Sequence, residues 1–190
     1  MVQDFLTAKG ITALEGDEQI IQLAHAVCNI PWGEARTLED VLTKSIGTCT
    51  GKHVLMQACL KELGIPYRPV VCTFQWGKQG IEFPDSIRNI LATGEWSHGH
   101  NFVQIQYADG PWVDIDVTWD PPLALHGLSP LPDNWNGHTS FVGLRHIEKR
   151  WDGASIAEKK AELIAALSPE EQERRERFLE EFIQWIDSLR

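Results

Sequence analysis

Three residues of this chain have the types and the order that thiol chemistry requires: Cys49, His100 and Asp116. They stand in Gly-Thr-Cys-Thr-Gly-Lys-His (47–53), Gly-His-Asn-Phe-Val-Gln-Ile (99–105) and Trp-Val-Asp-Ile-Asp-Val-Thr-Trp-Asp (112–120). A cysteine can attack an acyl carbon once a base has taken its proton, and a carboxylate holds that base in the right tautomer. Cys49 falls at the expected start of a helix, where unpaired N–H groups favour the thiolate and its own N–H can serve as an oxyanion donor. Trp32 is the candidate for a second donor. Gly47 and Gly51 are read as keeping this turn open to substrate. The blander reading is a buried cysteine at a helix start, the commonest fate of a free thiol.

Whether the histidine and the carboxylate can meet depends on the hairpin between them. His100 to Tyr107 and Pro111 to Trp119 read as strands around Ala108-Asp109-Gly110. A two-residue Asp109-Gly110 turn would put Ala108 opposite Pro111 and send His100 and Asp116 to opposite faces. A three-residue turn puts Tyr107 opposite Pro111 and Phe102 opposite Asp116. His100 then becomes a diagonal neighbour of Asp116, at a Cα separation of roughly 7–8 Å that a hydrogen bond can span. Asp114 has the same parity but lies farther from His100, and His98 is placed in the loop before the strand.

The remaining candidates are weaker. Cys28, Cys59 and Cys72 sit in apolar surroundings and are read as buried hydrophobes. His53, four residues after Cys49, could join His98 and His100 in a metal site, but the closely spaced cysteine anchors of zinc sites are missing, so no metal and no cofactor are expected. Trp96, Trp112 and Trp119 bracket the hairpin and either line an apolar cleft or fill the core.

The elements that must position these residues follow from periodicity. Residues 17–28 carry a helical stripe ended by Asn29-Ile30-Pro31, and Thr37 with Asp40 resembles a helix start, with Gly47 as the terminator. Leu55, Cys59 and Leu63 make 49–63 a helix that Gly64 and Pro66 end. Tyr67 to Phe74 reads as a strand, and Pro69 assigns it to an edge or to an early break in pairing. Residues 76–97 form an insertion with a short helix from Asp85 to Leu91 and are a candidate lid. Prolines 121, 122, 130 and 132 imply an irregular loop from Pro121 to Asn136.

Beyond residue 150 the chain reads as helical. Ile156, Leu163, Ile164 and Leu167 mark one helix, and Ser168-Pro169-Glu170-Glu171 is a capping box that opens another. The second helix carries Phe178, Phe182, Trp185 and Leu189 on a broad apolar stripe. Packing is its first expected role and oligomerisation through the C-terminal helix its second.

With 190 residues, 43% hydrophobic and 23% charged, the chain has the composition of one soluble domain spanning 1–190. A net charge of −10 argues against nucleic acid and anionic membranes as partners. The N-terminus lacks a basic start followed by an apolar core, no run of apolar residues is long enough to span a bilayer, and the cysteines are unpaired in pattern. The expected location is therefore the cytoplasm.

At the quoted motifs, together with Leu-Gly-Ile-Pro-Tyr-Arg-Pro-Val-Val (63–71), the chain resembles the transglutaminase-like superfamily. The resemblance covers about residues 45–120, with a helical extension at about 150–190 beyond it. It implies an α+β papain-like core with helices packed on an antiparallel sheet, the nucleophile at Cys49, the base at His100 and the acid at Asp116. The chain has Val117 where the family often has proline and Phe102 where it often has tryptophan. The implied chemistry is acyl transfer or amide hydrolysis on a peptide, protein or small amide through a thioester; the alternative is a non-catalytic binding module on the same fold.

Overall fold

The structure, a computed structural model, describes residues 1–107 and 110–190. Helices α1 (Val2–Ala8), α2 (Gly16–Cys28) and α3 (Leu38–Lys44) lead to α4 (Cys49–Glu62). Strand β1 (Tyr67–Phe74), helix α5 (Asp85–Ala92) and strands β2 (His98–Gln106), β3 (Trp112–Ile115) and β4 (Lys149–Asp152) follow, and α6 (Ile156–Ala165) and α7 (Pro169–Ser188) close the chain. The sheet is antiparallel in the order β3-β2-β1-β4. The fold is the helix-on-antiparallel-sheet α+β arrangement that the resemblance implies, and no helix among the described residues is long and apolar enough to cross a membrane.

Alternation along β2 divides the sheet between two apolar layers. Val103 and Ile105 join α1, α2 and α4 in one core, while Phe102 packs with Val70 and Cys72 on the other face. A further core forms where Phe178, Phe182 and Ile186 of α7 meet Ile87 and Ile90 of α5 and the aromatic rings of Trp32, Phe74, Trp76, Trp96 and Trp119. The apolar stripe of α7 is thus spent inside the chain. The 76–97 insertion is a packed wall here and not a lid, because its Phe83, Ile87, Ile90 and Trp96 are buried. Trp96 and Trp119 fill this core, and Trp112 lies under the Arg68 guanidinium at 4.4 Å.

Several expectations change. Pro69 lies on a strand paired on both sides, yet it breaks nothing. Its carbonyl accepts from Gly153 N at 2.7 Å, so its ring nitrogen faces the same side, just past the last pair with β4, where no N–H is required. Helix α3 ends at Ser45, which takes the left-handed conformation (φ 55), and not at Gly47. His98 is the first residue of β2 and not a loop residue. The β4 strand was not legible: its Lys-Arg-Trp-Asp sequence has no apolar alternation and lies exposed along an edge.

Segment 31–35 runs beside the start of α4 through Gly33 N to Gly47 O, Gly47 N to Pro31 O and Thr48 N to Ala35 O (3.3, 3.0 and 2.9 Å). Gly47 and Gly51 serve this approach. A Cβ on Gly47 would stand 2.8 Å from Lys52 Cγ, and one on Gly51 would collide with Ala35 O. Their role is close packing, and not the opening of the turn to substrate.

Lys52, fully buried on α4, donates to Cys28 O, Ile30 O and Thr118 O at 2.8, 2.8 and 2.9 Å. Three ammonium hydrogens meet three carbonyls, which joins the end of α2, the start of α4 and the segment after β3. Lys52→Met keeps the bulk but leaves the carbonyls unpaired. It should cost about 3 kcal/mol, lowering Tm by about 6–12 °C for a domain of this size in a thermal melt.

Candidate active site

Cys49 is the first residue of α4. Thr48 is the N-cap, its hydroxyl accepting from Gly51 N at 3.3 Å, so the Cys49 N–H has no partner within the helix and the thiol sits half-buried over the helix start. Asn101 ties that turn to β2. Asn101 Nδ2 donates to Cys49 O at 3.3 Å, and Thr50 Oγ1 donates to Asn101 Oδ1 at 3.1 Å.

The described pairs Val103 with Ile115 and Gln106 with Trp112 follow the register of the three-residue alternative. Of the turn itself, Ala108 and Asp109 lie outside the described residues. Strand β3 ends at Ile115, sooner than expected, because the backbone beyond it is used elsewhere: Asp116 N donates to Phe141 O, Val117 N to His53 Nε2 and Thr118 N to Asp116 Oδ1. Asp116 is nonetheless the diagonal neighbour of His100, and their side chains meet at 2.8 Å between Nε2 and Oδ2. Both are buried, at 3% and 1% exposure. Gly143 N also donates to Asp116 Oδ2, at 3.0 Å.

Burial works against charge on all three groups, and the partners override it. For Asp116, the charge and hydrogen bond of His100 hold the carboxyl well below the usual carboxylate range. For His100, the Asp116 carboxylate and then the Cys49 sulfur raise the pKa to about 9. For Cys49, the Lys160 ammonium and then His100 lower it to about 6. The two shifts run in the direction that favours a thiolate beside an imidazolium. Because Nε2 of His100 is spent on Asp116, Nδ1 is the nitrogen left for the sulfur. The thiol and imidazole interact, but the hydrogen bond that reaches Sγ among the described residues comes from Lys160 Nζ, at 3.4 Å.

The other candidates are occupied. Asp114 forms a bidentate pair with Arg150 (2.7 and 2.8 Å) and accepts from Gln104, so it braces the sheet. His53 donates from Nδ1 to Cys49 O at 2.7 Å and accepts Val117 N at Nε2, which fixes its tautomer. Burial lowers its pKa to about 4, so its 3.7 Å approach to Asp116 is not an ion pair. Both nitrogens are committed, which removes it as a metal ligand. Trp32 gives its backbone N–H to Asp120 Oδ1 at 2.7 Å, leaving only the indole N–H for an oxyanion; the ring lines the cleft.

That cleft, of about 260 Å³, opens over Cys49 between α4, the start of β2, α6 and α7. Sequence reading missed Asn101 and Lys160. Asn101 stood out as a polar residue on the apolar face of β2. Lys160 shares a helical stripe with Ile156, Leu163 and Leu167, and a cation on an apolar stripe is itself a signal.

A family model of the transglutaminase-like superfamily matches residues 12–117. The chain belongs to this superfamily. The transglutaminase-like match takes in Cys49, His100 and Asp116 and ends before β4, α6 and α7, so Lys160 comes from outside it. A crystal structure of a TGase is similar over 63% of this chain and 31% of its own, at 14% identity and a TM-score of 0.45. The chain thus spans under a third of that protein's length. No curated protein matches it.

Alkylation can read the thiol directly. Burial raises the pKa of Cys28, Cys59 and Cys72, with Cys59 reaching about 12. Limited iodoacetamide treatment at pH 7 should label Cys49 first, with a rate that falls by half near pH 6 and not near the pH of about 8.5 usual for a free thiol. Peptide mapping checks it; earlier labelling of any other cysteine would contradict this ionisation.

Proposed function

We propose that the chain is a cysteine-dependent acyltransferase or amide hydrolase acting through Cys49, His100 and Asp116. The observation that carries this reading is the buried 2.8 Å His100–Asp116 hydrogen bond beside a thiol on a helix N-terminus. The Cys49 thiolate attacks the carbonyl carbon of an amide, and the Cys49 N–H meets the developing oxyanion. As the C–N bond breaks, the His100 imidazolium gives its proton to the departing amine, leaving a thioester. Water or a second amine then attacks, His100 takes its proton, and the thiolate leaves. Asp116 orients the ring and balances its charge. Proton transfer of this kind contributes about 10²–10⁴ in rate. The substrate is a peptide, protein or small amide, and reduced, buried cysteines suit the cytoplasm.

One contact favours the second reading, a binding module. Lys160 Nζ sits on both Cys49 Sγ and Thr50 Oγ1, at 3.4 and 2.9 Å, where it competes with the imidazole for the sulfur. Mass spectrometry after incubation with an amide library separates the two: an enzyme accumulates an acyl adduct on Cys49 that hydroxylamine removes, and a binding module accumulates none.

Asp116→Asn is nearly isosteric and should keep the fold, but its amide NH2 must face a backbone N–H that the carboxylate accepted, so Tm should fall by several degrees. Losing the carboxylate lets the His100 pKa fall, so the thiolate loses its imidazolium and the Cys49 pKa rises. Alkylation at pH 6 should slow by about tenfold or more, and the half-maximal rate should move to higher pH. Asp114→Asn should shift the profile far less. A shift with Asp114→Asn alone would reassign the carboxylate.

A further inference from the structure

The cleft over Cys49 is cationic in a chain that is strongly anionic. The net charge is −10, yet Arg36, Lys160 and Arg175 all line this one cavity, against a single carboxylate, Glu34. The placement of two of them is unusual. Lys160 lies on the apolar stripe of α6 between Ile156 and Leu163, and Arg175 lies on that of α7, three residues before Phe178. A charge on a helix's packed face is costly unless something answers it.

For Arg175 no hydrogen bond does. Arg36 and Arg175 form no hydrogen bond or ion pair with a described residue, although Arg175 is half-buried. Burial and then the charge of Arg36 both disfavour its protonated form, with only the Glu176 charge opposing. For His98, on the same wall, burial and then the charges of Arg175, Lys160, His100 and Arg36 push the pKa well below the ordinary imidazole value, and its Nδ1 is buried without a partner among the described residues. The three cations are thus close enough to act on one imidazole while facing a cavity. Much of the remaining lining is apolar, with Leu163, Ile164, Leu167, Leu179 and Ile183, beside the polar Thr48, Thr50, Ser97 and His98.

We propose that Arg36, Lys160 and Arg175 form an anion subsite, so that the amide substrate of Cys49 carries a carboxylate on an apolar body. This rests on the function proposed above and names its substrate class. The cleft volume of about 260 Å³ suits a group of one or two residues. Glu34, exposed at the rim, opposes the same anion. The carboxylate is either a peptide C-terminus or an acidic side chain, and the two differ in their distance from the scissile carbonyl.

A matched pair of reagents tests the subsite without a known substrate. Iodoacetate and iodoacetamide differ in one charge, and the ratio of their rates at Cys49 cancels changes in the thiol itself. That ratio should exceed the free-cysteine ratio by about tenfold at low salt and fall as salt rises. It should fall severalfold in Arg36→Gln and in Arg175→Gln, neither of which strands a partner, and rise in Glu34→Gln. Protection from iodoacetamide by N-benzoyl-leucine, N-benzoyl-glutamic α-amide and neutral N-benzoyl-leucinamide then compares the two carboxylate sources. At least one anion should protect at about one-tenth the concentration that the neutral amide needs. Equal protection by all three, or a ratio that neither arginine variant moves, overturns the subsite. Its persistence in a protein that never forms an acyl adduct would instead remove the enzymatic reading and leave the subsite standing.

Discussion

The site depends first on the buried ammonium of Lys52. The thiol is carried by α4, while His100 and Asp116 are carried by the sheet and the segment leaving it, so no local interaction fixes one against the other. Lys52 does so with a single group, binding Thr118 O two residues after Asp116 and Cys28 O and Ile30 O at the end of α2. Burial lowers its pKa to about 8, which still leaves it protonated at neutral pH and able to fill all three carbonyls. His53, the next residue of the same helix, adds a second tie, from Cys49 O to Val117 N. The segment carrying Asp116 is therefore held to the nucleophile's helix at the two residues that follow the carboxylate. Displacements well under 1 Å matter to proton transfer, and this is the physical reason for two polar side chains in an apolar interior.

The same economy governs charge. Asp116 accepts from His100, from Gly143 N and from Thr118 N, so its lone pairs are nearly saturated and it stays ionised despite burial. That fixed anion makes the imidazolium affordable in turn, and the imidazolium favours the thiolate. Lys160 enters from outside this relay. It stabilises the thiolate through space while tying the ammonium to Thr50, a residue that also fixes Asn101 and through it the carbonyl of Cys49. A thiolate held by two cations is well populated but less nucleophilic, so moving Lys160 toward another anion would free the sulfur at no cost in its ionisation by His100.

Much of this was legible in the sequence, because the signals were local. The helix at Cys49, the capping box at Ser168 and the alternation along His100 to Gln106 are each read within a few residues. The register followed from a single choice of turn length, and the described pairs, from Gln106 with Trp112 to Val103 with Ile115, keep the register that puts Asp116 on the face of His100. What was hidden was tertiary. Lys52 looks like an ordinary polar residue of a helix and His53 suggested a metal ligand, while the partners that tie them to other elements lie 22 to 66 residues away. The glycines at 47 and 51 suggested access, when their role is backbone approach. Pro69 suggested an edge, and only the position of the last β4 pair shows why a central strand accepts it.

The division between fold and cleft follows the chain itself. The family match ends at residue 117, and with it end the nucleophile, the base and the acid. The wall that a substrate meets comes largely from α6 and α7, whose residues lie beyond that limit. Helix α6 has no buried residue at all, although its Ile156, Leu163 and Ile164, with Leu167 just beyond it, face the cavity. A helix that spends an apolar stripe on a cleft gains little from folding by that contact until something fills it. The reacting groups can therefore be constant while the helices that cover them vary, since α7 is held by the α5 core and α6 rests against β1 and β2. In this chain the covering helices bring Lys160 and Arg175 to the cleft over Cys49 of an anionic protein. Under the function proposed above, that placement, more than the thiol, the imidazole or the carboxylate, is what selects among acyl groups.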